Sequence, residues 1–447
     1  MIVKISELLN SLLCIKIFNI PFIIIWVIAT GIFCTVQFKF INFRLFKYGI
    51  QTLFNMKCNS DNKGIITHIQ AFATVISGTV GLGTISGVAI AITIGGPSAI
   101  FWMIITGMLG MSIKFAEVVL AFTHRSDNTT GGAFYYMKDG LAKIGFPKTG
   151  KFLAFAYAIM LIIAMIFGGI PFQANQMAAL SDNLFGYNVS IIISLLVLVV
   201  ILGGIKRIAF VATSLAPIMI MLYIGMCVYL IYVNKSNLLN ALSIIFQDIF
   251  SKSAVGGGVF SGLIAGVRRS VFANEAGTGT AAIAHSTVKE VDPIKVGCVA
   301  MIAPFIDTIL ISFLTGIVII ITGIHNVDNI GDITLISSIF STALPLFSKS
   351  VFPLIMFSFA FSTIIAYCYY SEVALLYLFG NKKVLLILFQ VFIVISVYVS
   401  CMSKNVEFIS YLGDTLFMCL MIPNTIAIYL LRREVLNTID SYYSSKR

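Results

Sequence analysis

Eleven apolar stretches follow one another along the chain, at about 20–40, 68–96, 98–123, 152–181, 188–205, 208–233, 240–273, 296–323, 351–378, 384–402 and 407–431. Each is near the ~20 residues that a helix needs to cross a hydrocarbon core. A backbone in lipid must satisfy its own hydrogen bonds, so such a chain is restricted to a bundle of helices. The 447 residues are 59% hydrophobic and only 11% charged, against about 25% charged in a soluble domain. The fold class read from this is an all-α polytopic membrane protein with about 11 transmembrane helices, its partner surface a lipid bilayer.

The net charge of +11 would suit a nucleic-acid binder in a soluble chain. Here no RNA or DNA module is present, and nucleic acid is not expected as a partner. The basic residues instead sort by side. Connections on one side, with Arg268 and Arg269 counted there, hold 22 of the 29 Lys and Arg. Lys4, Lys16, Lys235, Lys252, Lys349 and Lys404 fall on the other, and Lys114 lies within a span. Positive charge collects on the cytoplasmic side, so the amino terminus is expected outside and the carboxy terminus inside, in the cell (inner) membrane. Lys4, Glu7 and Lys16, with no clear small-residue cleavage site, argue against a removable signal peptide.

Other chemistries find little support. Eight cysteines are scattered without a C-x-x-C pair and read as small buried hydrophobes. Four histidines (68, 124, 285 and 325) show no metal-ligand spacing, which argues against a zinc hydrolase.

The second stretch contains Ser77-Gly78-Thr79-Val80-Gly81-Leu82-Gly83-Thr84-Ile85-Ser86-Gly87, followed by Gly95-Gly96-Pro97. So many glycines weaken a helix. A phosphate-cradling loop would need a preceding strand and a Walker lysine or a later acidic residue, and none is there. Gly83 and Gly87 fit a packing face. Uneven spacing and the interleaved Thr79 and Thr84 fit a discontinuous helix whose unwound middle meets a solute.

Five stretches later the seventh is interrupted at Gly256-Gly257-Gly258 and again carries Gly262. An odd number of spans per unit inverts the second copy. Stretches two to six and seven to eleven are therefore expected to form inverted repeats, with the central site between their broken helices. The expected organisation is a peripheral first helix at 1–45, a first five-helix repeat at 66–234, a second, inverted repeat at 239–432 and a cytoplasmic tail at 433–447.

Longer motifs carry a resemblance: SGTVGLGTISGVAIAI (77–92), GGPSAIFWM (95–103), KFAEVVLA (114–121), GGAFYYMKDGL (131–141), FQANQMA (172–178), GGIKRIA (203–209), FANEAGTGTAAIAH (272–285), IDTI (306–309) and FAFSTIIAYCYYSE (359–372). Their order resembles that of the alanine or glycine:cation symporters, the bacterial amino-acid carrier proteins. The resemblance implies a leucine-transporter-type fold of five plus five inverted helices. It further implies sodium-coupled uptake of a small neutral amino acid, no organic cofactor, and a single chain sufficient to enclose the pathway. This chain carries Thr84 where the family usually has Asn, Tyr367 where it has Trp, and Gly277-Thr278-Gly279-Thr280 where it has Gly-Leu-Gly-Ser. Thr84 and Tyr367 fall at expected substrate contacts.

A zwitterion needs a partner for each charge. The amides freed around Gly81 to Gly83, beside Thr79 and with a hydrogen bond from Thr84, suit the carboxylate. Carbonyls near Gly256 to Gly258 and the hydroxyl of Thr363 suit the ammonium. The resemblance implies that Phe172, Gln173 and Phe260 line the same cavity, which Phe260 and Tyr367 restrict to small side chains. It also places sodium between Ser362 and Thr363 and carbonyls near Gly78, Val80 or Gly81, although Ser and Thr in a span commonly bond back to their own helix.

Charges inside spans are functional suspects. Lys114 and Glu117, three apart, read as a self-neutralising pair near the cytoplasmic end. Asp307 lacks a local partner and fits either ion coupling or a buried network. Asn274 and Glu275, after Arg268 and Arg269 at the inner mouth, read as a gate or a solvated loop. Asp414 and Pro423-Asn424 read as packing or a kink. An intramembrane enzyme would need a convergent nucleophile and base that the sequence does not supply. A channel is commonly a symmetric oligomer, whereas two inverted halves enclose a pathway in one chain.

Overall fold

The computed structural model describes residues 15–17, 20–54, 64–126, 130–185, 189–249, 260–323, 333–403 and 405–445. Eight helices among them are long and apolar enough to cross a membrane. In chain order the elements are α1 (Phe22–Gln37), α2 (Phe46–Phe54), α3 (His68–Thr79), α4 (Leu82–Gly95) and α5 (Ala99–Thr123). Next come α6 (Pro147–Leu180), α7 (Val189–Ile201), α8 (Gly204–Val233), α9 (Leu238–Ile249) and α10 (Ser261–Asn274). The rest are α11 (Ala281–His285), α12 (Pro293–Ile321), α13 (Ile333–Ala343), α14 (Pro345–Phe379), α15 (Lys383–Cys401) and α16 (Val406–Ser445).

The span made of α3 and α4 is at the centre, with 94% of its most apolar window buried, whereas α15 is only 22% buried and turns its apolar side chains to lipid. A capping box starts α3: the Thr67 hydroxyl accepts from the Gln70 amide and Gln70 Oε1 from the Thr67 amide. α4 lies along α10, so the two interrupted stretches meet. The interruption expected at Gly256 to Gly258 lies outside the described residues.

α1 packs on α5 and ties to α16 through Trp26 Nε1, which donates to Thr425 Oγ1 at 2.8 Å. Short helices outside the expected stretches also form, among them α13. α13 sits in the connection between α12 and α14, with Ile333, Ile336, Ile339 and Phe340 buried at helical spacing. Eleven residues are too few to cross a membrane, and α13 packs instead on α14 and α4. Two π-helical turns, Met165–Gly169 in α6 and Phe305–Ser312 in α12, rotate side chains out of α-helical register beside the central break.

Candidate functional site

The chain breaks between α3 and α4 at Val80 and Gly81, and the released backbone groups are taken by side chains from two other helices and from α4 itself. Gln173 of α6 accepts from the Leu82 amide at 2.9 Å, and Thr84 Oγ1 donates to the Thr79 carbonyl at 2.7 Å. Thr363 Oγ1 of α14 reaches the Ser77 carbonyl at 2.7 Å and its own Phe359 carbonyl at 2.9 Å. One hydroxyl proton cannot serve two carbonyls, so three oxygens crowd together there, and a hard cation relieves such crowding. Glycine is required at 81 because a Cβ would stand 2.5 Å from Thr363 Oγ1 and 2.8 Å from Gln173 Nε2. At Gly83 a Cβ would meet the Phe272 ring at 2.6 Å.

The break therefore brings together Thr79, Val80, Gly81, Gly83, Thr84, Gln173 and Thr363, all buried. Three further candidates have other immediate neighbours. A Cβ on Gly78 would face Tyr370 and Ala366. Ser362 Oγ donates back to Phe359 and faces Met219. Phe260 is 39% exposed at the start of α10.

Above the break is an aromatic layer that the residue patterns alone did not reveal. Phe172 lies 5.2 Å from Phe272, and Phe417 lies 4.9 Å from Phe272 and 5.8 Å from Tyr367. Arg269 covers it, 5.9 Å from the Phe172 ring, bonded to Ser410 and 3.3 Å from Asp414. Asp414 is thus half of an ion pair rather than a packing residue. Above this roof a cavity of about 810 Å³ opens between α4, α10 and α16. Arg268 and Arg269 line it, so they do not belong with the basic residues expected on the opposite side, and the sequence-based count of 22 there becomes 20 of 29.

Below the break the bundle is closed by a thick polar network around the turn after α10. Lys114 does not pair directly with Glu117: its ammonium donates to the Asn274 carbonyl at 2.5 Å, at a helix end where a cation is favoured. Glu117 Oε1 accepts from the Gly279 amide and from Asn424 Nδ2, which also donates to the Gly277 carbonyl. Asn424 is a hub, since Tyr136 bonds its Oδ1 as well. Tyr157 holds the Thr278 carbonyl at 2.6 Å, and Thr280 donates to Glu275. Asn274 and Glu275 are buried, not part of a solvated loop. Asp307 is buried in the π-helical turn of α12, its Oδ1 accepting from Thr308.

The lowest layer is a latch. Ile66 pairs with Val288, Arg125 donates to the carbonyls of Ser286, Val288 and Glu290, and His68 Nε2 meets Glu290 Oε2 at 3.2 Å. Burial works to raise the Glu290 carboxyl. His68, the Val291 and Asp292 amides and Lys295 outweigh it and hold the group at about 2. A depressed carboxyl stabilises the fold above its ordinary range and loses that contribution as pH falls toward 2. Glu290→Gln is therefore expected to lower the detergent-solubilised unfolding midpoint at pH 7, with the gap to wild type closing between pH 4.5 and 2. A gap that stays constant with pH would show that the carboxylate charge is irrelevant.

The sequence profile of the sodium:alanine symporter family matches residues 4–447. The chain belongs to that family. It is 32% identical over 433 residues to the sodium/alanine symporter AgcS of Methanococcus maripaludis, covering 94% of each chain. It is 30% identical to the probable sodium/glutamine symporter GlnT of Bacillus subtilis, over 95% of this chain and 88% of that one. Among solved structures, MhsT in complex with L-phenylalanine superposes with a TM-score of 0.61 at 14% identity, over 82% of this chain and 89% of MhsT. That likeness establishes the leucine-transporter-type fold. Members of the family are sodium-coupled carriers, which makes the protein an integral membrane transporter rather than an enzyme.

Proposed function

We propose that this protein imports alanine, glycine or a similar small neutral amino acid together with sodium by alternating access. The observation that carries the reading is the broken helix, whose Leu82 amide is capped by the neutral carboxamide of Gln173. An amino-acid carboxylate is the better acceptor for that half-helix end, and displacing Gln173 admits it. Thr79, Gly81, Gly83, Thr84 and Gln173 then surround the carboxylate. Phe172 and Tyr367 limit the side chain, and Phe260 guards the approach. Sodium sits beside Thr363, with the Ser77 and Val80 carbonyls as oxygen donors. Gly78, Gly81 and Ser362 complete the neighbourhood.

The state described is open toward the 810 Å³ vestibule and closed at the latch. The remaining bias of basic residues toward the latch end supports a cytoplasmic latch, an external amino terminus and a cytoplasmic carboxy terminus. Residues 66–234 and 239–432 then act as the two inverted repeats, 1–45 as a peripheral anchor and 433–447 as the tail.

The test is uptake of labelled alanine and glycine by purified protein in liposomes under an inward sodium gradient, a proton gradient or neither. Concentrative uptake only with sodium is expected. Uptake driven by the proton gradient alone would reassign the coupling ion, and uptake of neither amino acid by folded protein would overturn the substrate.

A further inference from the structure

α11 ends at His285, and the latch segment begins at the next residue. His285 is fully buried, and neither ring nitrogen has a hydrogen-bond partner among the described residues. The elements packed on α11 are α3, α5, α12 and α14. α3 brings His68, whose Nδ1 is likewise without a partner and whose Nε2 is turned to Glu290. α5 brings Lys114, which donates to the Asn274 carbonyl, and Glu117, which accepts from Asn424 and the Gly279 amide. At its end His124 is 2.8 Å from Glu434. On α12, Lys295 is 3.4 Å from Glu290 and Asp307 accepts from Thr308; on α14, Glu372 accepts from Gln390, beside Tyr370. No carboxylate is within ion-pair distance of His285 among the described residues. Burial, then His68 and Lys114, hold its imidazole down at about 3. The lower end of α3 is fastened here by the Ile65 amide on the Thr287 carbonyl at 2.8 Å, the Lys289 amide on the Ile66 carbonyl at 2.9 Å and the His68–Glu290 contact.

We propose that His285 is a proton-binding site which the closed latch covers and the open latch exposes, so that a proton taken up on opening keeps the latch from closing. A protonated imidazole presents two N–H donors. In the closed layer neither nitrogen faces an acceptor and Lys114 supplies a like charge, and a buried charge without a partner is costly. Once α3 and the latch segment part, water serves both donors and the group returns toward its ordinary value of ~6.5. The open state then binds more protons than the closed one. The closed latch is therefore undisturbed above pH ~6.5 and loses stability as pH falls from there toward 3. For the opening equilibrium this amounts to about tenfold between pH 7.5 and 5.5. His68 acts in the opposite sense, because a proton there strengthens its contact with Glu290 and holds α3 down, and a proton on His124 likewise strengthens its contact with Glu434. The direction of the response to acid thus separates His285 from the other two. Only the side of action rests on the functional reading above: with a cytoplasmic latch, an acid cytoplasm holds the carrier open inward and slows its return.

Hydrogen–deuterium exchange of the full-length carrier in detergent at pH 7.5, 6.5 and 5.5 tests this, each rate being divided by the intrinsic rate of the same amide at that pH. Peptides carrying Ile65 and Lys289 report the latch, since those two amides bond across it. Their opening constant is expected to rise about tenfold from pH 7.5 to 5.5 in the wild type. In His285→Leu, which keeps the volume and takes no proton, it should stay flat or fall. Leucine also removes two unsatisfied buried nitrogens, so this variant is expected to fold. His285→Gln, polar but not titratable, should match it and excludes a packing effect of leucine. His68→Gln, which removes an opposing group, should rise at least as steeply as the wild type. An opening constant that ignores pH or falls in acid, an acid response that survives both His285 variants, or one that His68→Gln abolishes overturns the proposal. Sodium-driven uptake is measured on the same proteins in liposomes. Exchange that follows pH in folded protein taking up neither amino acid overturns the transport reading and leaves the proton site standing. Uptake with exchange that ignores pH overturns the proton site alone.

Discussion

Thr363→Val sharply lowers sodium-dependent uptake in the expected outcome, while the purified protein keeps its elution profile and most of its thermal stability. Valine preserves the branched shape of the side chain and removes one oxygen. In the resting structure that oxygen bridges α14 to the Ser77 carbonyl of α3 at 2.7 Å. The neutral bond contributes about 0.5–1.5 kcal/mol to folding, a loss a bundle of this size absorbs. A bound cation depends on the same oxygen far more. Interactions with charged groups run at about 1.5–3 kcal/mol, or roughly 10- to 150-fold in affinity. Uptake at fixed sodium should fall on that scale, and raising external sodium should recover part of it. Ser362→Ala provides the contrast: that hydroxyl bonds back to Phe359 and faces Met219, so its loss should matter much less. Undiminished uptake in Thr363→Val would remove α14 from the ion site.

Much of this site was legible in the sequence, and what was missed has a common physical origin. Runs of apolar residues report that a helix spans, and the glycines between Ser77 and Gly87 report that one span is broken, because both properties belong to a single segment. Partners across the bundle leave no such local mark. Asp414 finds Arg269, 145 positions earlier, at 3.3 Å, and nothing within a turn of either residue announces the other. Lys114 and Glu117 show the opposite error: their spacing suggests a pair, but the carbonyl end of α10 and the amides after it offer each a closer partner. Phe272 lies in a motif that points to the region, yet its place against Gly83 follows only from how α4 and α10 approach. Phe417 has no signal beyond being apolar in an apolar helix. Phe260, carried over by resemblance, ends up at the rim, next to residues that lie outside the described set.

Loss of Lys114 should have the largest effect on stability. Its side chain is fully buried, and its charge reaches the carboxyl groups of Glu117, Glu275 and Asp307. No second Lys or Arg is fully buried among the described residues of this layer. Lys114→Met fills similar space but leaves the Asn274 carbonyl without its donor and the carboxyl groups without a counter-charge. Removing one partner from a buried charge cluster costs about 3–5 kcal/mol, read as a marked drop in the unfolding midpoint in detergent. Packing loss and charge loss are separated by the double variant. If the deficit is electrostatic, Glu275→Gln added to Lys114→Met should restore part of the midpoint, although each alone lowers it, a coupling that additive sites do not show. A midpoint unchanged in Lys114→Met would mean that the network carries no net charge to balance. In that case the closed lower half is held by its neutral bonds, those of Tyr157 to Thr278 and of Asn424 to Gly277, and the lysine would be free to act in the transport cycle instead.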